Sequence, residues 1–305
     1  MTRLPDSIQV LERGWLSSNN IVFVDGPDAA LIDSGYVTHA AQTVALVERA
    51  LDGRRLTRLL NTHSHSDHIG GNAALQTAFG CAILVPAGIA ASIADWDEDA
   101  LLLSPLGQRA ARFAHNGELH AGDTLELGGL SWQLLAVPGH DMEALAFYCA
   151  ERRLLISGDA LWENGFGVIF PELLGDPRGF AGTRATLDLF ARLAIDTVIP
   201  GHGAPFHDVD GALQRAYSRL DAFERDSDRL ARHAIKVMLA FALLERRQLP
   251  RAELPEFLAG LSFCMSVNTR HLGYSPDELA AWLITDLLAS GSLREADGLL
   301  VAAGR

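Results

Sequence analysis

Three histidines and an aspartate fall within six consecutive positions of this sequence. His63, His65, Asp67 and His68 lie in NTHSHSDHIGGN, at the end of the strand-like run RLLNTH. Side chains two positions apart in extended backbone point to the same side, so His63 and His65 can bind one metal ion. Asp67 and His68, after a turn, can face a second ion close to the first. The alternative is a solvated polar loop that is rich in histidine.

Three further potential ligands each follow a glycine at the end of an apolar run. They are His140 in VPGHD, Asp159 in ISGDA and His202 in IPGHG. A glycine there lets the backbone turn sharply and directs the next side chain toward a shared centre. Each alone could be a turn aspartate or a surface histidine, but the repetition favours one metal centre. Seven nitrogen and oxygen ligands without a thiolate suit zinc, with iron and manganese as alternatives.

Strands and helices alternate through the first two thirds of the chain, and the histidine motifs fall at strand ends. This pattern predicts an α/β layered architecture with its chemistry on the loops at one edge. After about residue 208, long helical stretches precede two short runs around ADG, which predict a small hairpin. We therefore expect a catalytic domain over residues 1–208 and a mainly helical, winged-helix-like domain over residues 209–305.

Composition and charge narrow the class of protein. The chain has 305 residues, of which 49% are hydrophobic and 21% are charged, as in an ordinary globular enzyme. No apolar run approaches the roughly 18 residues of a membrane-spanning helix. The charged first segment, MTRLPDSIQVLERGW, is unlike a secretory signal and predicts a cytoplasmic location. Residues 1–209 carry a net charge of -12 out of -13, which disfavours a nucleic-acid partner.

The motifs HSHSDH, PGH, GD and PGHG, in this order over about residues 8–208, resemble those of the metallo-β-lactamase-fold hydrolases, which include glyoxalase II and lactonases. The resemblance implies an αββα sandwich that carries a dinuclear metal centre, with two Zn²⁺ ions as cofactors. It also implies a role for each motif residue: His63, His65 and His140 on the first ion, Asp67, His68 and His202 on the second, and Asp159 bridging both. Asp33, in LIDSG, would orient a ligand histidine, the alternative being a plain turn residue.

Such a pair of ions lowers the pKa of a bridging water and gives a hydroxide that attacks a carbonyl at neutral pH. Asp67 and Asp159 are then the catalytic carboxylates, and the predicted function is hydrolysis of a small ester, thioester or lactone. The sequence departs from many glyoxalase-like members, which read PGHTxGH, because Ala144 stands where their second histidine falls. This departure counts against a glyoxalase II assignment but leaves the ligand set intact.

Three other functions stay open on the same scaffold. A phosphodiesterase or ribonuclease is disfavoured by charge, since the C-terminal region is nearly neutral and lacks a basic stripe. That region is better interpreted as a lid or as a dimerisation element of a homodimer. A mono-iron persulfide dioxygenase-like member is disfavoured by the complete second ligand set. A metal-binding protein without turnover is the third alternative.

The candidate contacts for a small-molecule substrate come from two segments. Trp162, Phe166 and Phe170, in ALWENGFGVIFPELLGDP, are expected to overhang the metals as pocket walls, or else to pack this loop onto the core. Trp15 has a similar status. Arg270 and Tyr274, in NTRHLGY, are candidate clamps for a substrate anion, with a surface loop as the alternative.

Overall fold

Two β-sheets packed face to face form the centre of the first two thirds of the chain. The computed structural model describes residues 4–303. One sheet has six strands in the order β1-β2-β3-β4-β5-β6, and the other has five in the order β11-β10-β9-β8-β7. The strands are β1 (Ile8–Leu11), β2 (Asn20–Asp25), β3 (Asp28–Ile32), β4 (Arg55–Leu60), β5 (Ala82–Pro86), β6 (Gly117–Leu119), β7 (Thr124–Leu127), β8 (Leu130–Ala136), β9 (Leu145–Cys149), β10 (Leu154–Gly158) and β11 (Thr197–Pro200).

Helices cover the outer face of each sheet. Those of the first two thirds are α1 (Ala40–Leu51), α2 (Ser66–Ile69), α3 (Asn72–Phe79), α4 (Ala90–Asp95), α5 (Leu103–Leu106), α6 (Phe170–Leu174) and α7 (Gly179–Arg192). Helix α1 buries Val47 and Leu51 one turn apart and ends before Asp52, a residue in the left-handed conformation.

Three hydrophobic clusters show the layers directly. Phe23, Trp132 and Phe147 pack between the two sheets. A second cluster joins the outer face of the six-stranded sheet to α1, α3 and α4. A third joins the outer face of the five-stranded sheet to α7 and to the helix that follows β11. The predicted αββα sandwich is confirmed.

The last third is mainly helical, as expected. It contains α8 (Val209–Arg225), α9 (Ser227–Arg246), β12 (Leu249–Pro250), α10 (Leu254–Ala259), α11 (Ser262–His271), α12 (Pro276–Ala289), β13 (Leu293–Ala296) and β14 (Leu299–Ala302). Its three strands form an antiparallel sheet in the order β12-β14-β13. Asp297 and Gly298, both with positive φ, form the two-residue turn of the expected hairpin. The winged-helix assignment remains a prediction.

Local sequence signals fix the ends of the C-terminal helices. The side chain of Asp226 accepts a hydrogen bond from the backbone N–H of Arg229, so the long helical stretch divides into α8 and α9 at this residue. Ser275 and Glu278 form a reciprocal capping box at the start of α12, with Pro276 in its first turn. These caps explain why one continuous apolar pattern becomes separate helices.

The C-terminal helices share their core with the sandwich. The cluster on the five-stranded sheet continues through Phe166 and Phe170 to Phe263 and Leu283. The division at residues 208 and 209 is therefore a division of the sequence pattern, and its status as a domain boundary remains a prediction. Across residues 4–303, every helix is too short or too polar to traverse a bilayer.

The inter-sheet core generates a stability prediction. Trp132 is fully buried, meets the ring of Phe23 at 5.4 Å and donates its indole N–H to the carbonyl of Leu127. We expect Trp132→Ala to lower the free energy of unfolding by about 3–5 kcal/mol, because it leaves a cavity and an unpaired carbonyl. Denaturant unfolding measures the loss. The exposed Leu244→Ala is the control, and a loss below about 1 kcal/mol at Trp132 would contradict the layered core.

Candidate metal centre

The motif residues meet because their strands end at the same edge of the sandwich. In the six-stranded sheet, Asp33 follows β3 and His63 follows the parallel β4. In the five-stranded sheet, His140 follows β8, Asp159 directly follows β10, and His202 follows the parallel β11. A hydrogen bond from the N–H of Leu145 to the carbonyl of Thr62 joins the two sheets at this edge, and one from the N–H of Gly201 to the carbonyl of Gly158 joins the ends of β11 and β10. The predicted edge location is therefore correct.

The first group consists of His63, His65 and His140, whose ligand-type nitrogens lie within 4.8 Å of one another. The Nδ1 atom of His65 is 2.7 Å from the Nε2 atom of His140. The other nitrogen of His140 donates to the carbonyl of Val168 at 2.6 Å, which leaves an unprotonated Nε2 facing the group.

Burial keeps this first group neutral. It lowers the pKa of His65 and of His140 to about 4, and that of His63 well below the ordinary value, with the neighbouring histidines acting in the same direction on His63 and His140. All three rings therefore present lone pairs at neutral pH, as metal ligation requires.

The second group consists of Asp67, His68, Asp159 and His202, again with ligand-type atoms within 4.8 Å of one another. The Nε2 atom of His202 is 3.0 Å from Asp67 Oδ2, and the Nε2 atom of His68 is 3.4 Å from Asp159 Oδ1. Burial lowers the pKa of His68, but Asp159, Asp33 and Asp67 together raise it well above its ordinary value. This pocket of carboxylates therefore stabilises positive charge.

Asp159 contacts both groups. Its Oδ2 atom is 3.5 Å from Nε2 of His140 in the first group and 3.8 Å from Nε2 of His202 in the second. Burial opposes ionisation of Asp159, but His68 and His202 hold the pKa of this carboxyl well below its usual range. A buried, ionised carboxylate thus lies between two sets of imidazoles.

Asp33 holds the second group from behind. Its Oδ2 atom accepts from Nδ1 of His68 at 2.8 Å and from the hydroxyl of Thr62 at 2.8 Å, and its Oδ1 atom accepts from the N–H of Thr62 at 2.9 Å. With Nδ1 of His68 donating to Asp33, Nε2 of the same ring points toward Asp159. The geometry matches the orienting role expected for Asp33.

These residues fit a pair of divalent ions. Within residues 4–303, Nε2 of His63, Nε2 of His68 and Nδ1 of His202 are buried side-chain atoms without a hydrogen-bond partner. A buried orphan nitrogen costs about 1–3 kcal/mol, and in His63 and His68 a cation within the group would satisfy it. The donor set of five imidazoles and two carboxylates, without a thiolate, suits zinc.

The three glycines before the ligands serve two different needs. Gly139 and Gly158 have φ values of 146° and 51°, in the region that favours glycine, so the expected sharp turn is present. Gly201 has no such φ. A Cβ atom there would lie 2.2 Å from Asp159 Oδ1 and 3.0 Å from His68 Cε1, so this position requires glycine because the ligands approach closely.

Two of the predicted wall residues lie against the groups. The ring of Phe170 is 5.1 Å from that of His65 and 5.5 Å from that of His140. The indole of Trp162 is 5.5 Å from the ring of His202 and donates its N–H to Asp159 Oδ1 at 3.2 Å.

Phe166 follows the alternative stated for this loop, which is packing onto the core. It is 2% exposed, packs against Phe223 of α8 and lines a void of about 10 Å³ together with His140 and Asp159. The ring therefore supports the ligands from the core side and does not overhang them, because α8 covers this face of the loop.

The predicted anion clamps are held by other contacts. Arg270 donates to the carbonyl of Leu173 at 2.9 Å. The ring of Tyr274 lies 6.3 Å from that of Trp282, and its carbonyl accepts from Asn268. The hydrogen bonds and ring contacts described for these two residues do not include a member of either group, so their role as clamps remains a prediction.

Sequence reasoning missed several residues that position the centre. Thr62 and the carbonyl of Val168 orient the ligands, and Asn19 bonds through its side chain to the carbonyls of Pro200 and Gly203 beside His202. The sequence carries one signal for Asn19, which is the polar run SSNN directly before an apolar strand. In the structure all four residues of this run are buried. A carbonyl that accepts from a ligand leaves no signal in the sequence.

Comparisons with known proteins place this geometry in a family context. The family model described as "Metallo-beta-lactamase superfamily" matches residues 13–202. The chain is 29% identical over 155 residues to a hydroxyacylglutathione hydrolase of Rhodopseudomonas palustris (strain HaA2), covering 51% of this chain and 52% of the relative. It is 31% identical over 153 residues to that of Hyphomonas neptunium, covering 50% and 47%. The chain thus spans about half the length of these curated relatives.

Solved structures share the fold. A metallo-beta-lactamase family protein from Thermus thermophilus has a TM-score of 0.61 at 20% identity and covers 98% of this chain and 100% of its own. A class B3 di-zinc metallo-beta-lactamase from an Alaskan soil metagenome has a TM-score of 0.57 at 20% identity and covers 72% and 92%. The first of these likenesses extends through the C-terminal helices.

Asp33 provides a test of the support behind the second group. We expect Asp33→Asn to weaken zinc binding about 10- to 100-fold, because three donors converge on a carboxylate that an amide replaces with only one oxygen. Competition with a chelator of known zinc affinity measures the change. Asp28→Asn, in an exposed ion pair with Arg55, is the matched control. Zinc affinity within about twofold of wild type would refute the orienting role.

Proposed function

We propose, since the chain belongs to the metallo-beta-lactamase superfamily, that it is a dinuclear-metal hydrolase of a small ester, thioester or lactone. The observation that carries this proposal is the ionised carboxylate of Asp159 in contact with two separate buried ligand groups. The curated relatives are named for hydrolysis of a hydroxyacylglutathione, which favours a thioester among the three substrate classes.

We assign each ligand other than Asp159 to one of two ions, according to the group in which it lies. His63, His65 and His140 would hold the first ion and Asp67, His68 and His202 the second, with Asp159 as the carboxylate shared between them. The ions would be two Zn²⁺, with iron or manganese as alternatives. When bound, they supply Lewis acidity toward the substrate carbonyl and a water that ionises near neutral pH.

The protein's own residues then orient and shield the reaction. The carbonyl of Val168 and the carboxylate of Asp33 fix the tautomers of His140 and His68. Burial opposes ionisation of Asp67, but His68 and His202 lower the pKa of this carboxyl, which keeps it charged. Its side chain is 14% exposed, against 6% for Asp159, so Asp67 is the carboxylate better placed to orient an attacking water.

The substrate contacts follow from the surrounding side chains. We propose Phe170 and Trp162 as walls beside the two groups and Phe166 as support from the core. Arg270 and Tyr274 remain proposed contacts for an anionic part of the substrate. The acidic charge favours a small-molecule partner over nucleic acid. A cytoplasmic location and a homodimer formed through residues 209–305 also remain proposals.

A hydrolysis panel tests the function. Zinc-loaded protein is assayed with thioesters, lactones, simple esters, phosphodiesters and RNA, and the iron-loaded protein with a persulfide. We expect turnover in the acyl classes, highest for thioesters, and two zinc ions per chain by elemental analysis. Turnover confined to phosphodiesters or RNA, or oxidation of the persulfide with one iron per chain, would overturn the proposal.

Asp159 gives the sharpest test of the bridging assignment. We expect Asp159→Ala to lose both ions and to reduce acyl hydrolysis by more than about 100-fold, since even a residue that only orients a ligand contributes 10- to 100-fold. Bound zinc per chain and initial rates are the measurements. Asp28→Ala is the control at an exposed carboxylate. Two zinc ions retained in Asp159→Ala would contradict the assignment.

A further inference from the structure

Trp15 combines two properties that conflict in an ordinary surface residue. It is 56% exposed, more than any other large hydrophobic side chain described in residues 4–303. Yet its indole stacks on the imidazole of His202, with ring centroids 5.4 Å apart and planes inclined by 10°. An exposed apolar ring directly beside a candidate ligand indicates a contact for a bound molecule.

The loop that carries Trp15 is fixed to the two loops of the second group. The N–H of Ser18 donates to the carbonyl of Asp67 at 3.0 Å, and the N–H of Asn19 donates to the carbonyl of Gly201 at 2.7 Å. The side chain of Asn19 adds two hydrogen bonds to carbonyls beside His202. The indole therefore keeps its position relative to the second group.

A second indole completes the surface. The ring of Trp162 meets that of Trp15 edge to face, with centroids 5.3 Å apart, and also contacts His202. Its N–H is bonded to Asp159, and Arg215 of α8 holds the same loop through the carbonyl of Glu163. The two rings form an aromatic wall, here defined as Trp15 and Trp162, above His202.

The charged groups around the aromatic wall determine which kind of substrate group can bind there. Trp162 of the wall donates its indole N–H to the carboxylate of Asp159, so an acidic group of the centre lies beside the wall. The guanidinium of Arg13, two positions before Trp15, is bonded to Asn20, Thr43 and Gln42. Arg215 is paired with Asp208. A flat, uncharged group gains from stacking on the two rings, while the guanidinium groups of Arg13 and Arg215 are already bonded to other side chains.

We propose that the aromatic wall binds an aryl group attached to the acyl carbon of the substrate, and that Trp15 thereby determines the acyl preference. A group attached to the reacting carbonyl carbon is held close to the centre, and comparing substrates of one thiol separates the acyl substituent from the leaving group. This inference rests on the proposed acyl hydrolysis and narrows its substrate class to aryl acyl compounds.

Kinetics with matched substrates test the inference. Benzoyl and acetyl thioesters of the same thiol are compared in wild type, Trp15→Ala, Trp15→Phe and the control Trp96→Ala, which removes a tryptophan that packs on Phe113 instead. We expect Trp15→Ala to lower the benzoyl-to-acetyl ratio of kcat/KM about three- to tenfold. Trp15→Phe should retain most of the ratio, and Trp96→Ala all of it.

An unchanged ratio in Trp15→Ala would overturn the wall as a binding surface. Equal loss for both thioesters would assign Trp15 to support of the loop and would also overturn the inference. Zinc content and thermal unfolding are measured in each variant, and they should match wild type in Trp15→Ala.

Calorimetry separates this inference from the proposed function. The affinity of the zinc-loaded protein for benzoate relative to acetate needs no turnover, and we expect the same three- to tenfold loss of preference in Trp15→Ala. If no thioester is hydrolysed but this loss occurs, the wall stands and the proposed activity fails. If thioesters are hydrolysed without any benzoate preference that depends on Trp15, the activity stands and the wall fails.

Discussion

The carboxylate of Asp159 between two sets of buried imidazoles is the interaction on which the rest of the centre depends. An ionised carboxylate in the interior is unfavourable unless positive charge and hydrogen bonds surround it. Here the compensation comes from His68 and His202 and from the indole N–H of Trp162. The same arrangement presents oxygen and nitrogen lone pairs to two neighbouring positions, so the electrostatic requirement of the fold and the requirement of a metal pair coincide.

The sandwich meets this requirement by ending strands of both sheets at one edge. Neither sheet alone holds a complete group, because His63 and His65 come from one and His140 from the other. The packing of Phe23, Trp132 and Phe147 between the sheets therefore determines the distance between ligands as well as the stability. Gly201 shows how closely the ligand loops pack, since even a methyl group at this position would overlap Asp159.

Much of the candidate metal centre was predictable from the sequence, and the features that sequence reasoning missed have a common cause. Spacing within a motif identified His63, His65, Asp67 and His68, and the repeated strand-glycine-ligand pattern identified the other three, because periodicity and glycine are local signals. No local sequence signal determines the side of a loop to which an aromatic ring points. Phe166 and Phe170 occupy the same predicted loop, yet α8 buries the first behind the ligands while the second contacts His65. The burial of the SSNN run likewise depends on a loop almost two hundred residues later.

The C-terminal helices also reach the centre through one buried side chain. Tyr36 lies three residues after Asp33, and its ring meets Phe241 of α9 edge to face at 5.1 Å. Its hydroxyl accepts from the N–H of Arg109, whose guanidinium pairs with Glu245 of α9. Burial, with Glu245 nearby, raises the pKa of Tyr36, so the hydroxyl stays neutral beside the loop of Asp33. The last third of the chain thus shares the hydrophobic core of the sandwich and also packs against the segment that orients His68, which explains why the core continues across the expected boundary at residue 208.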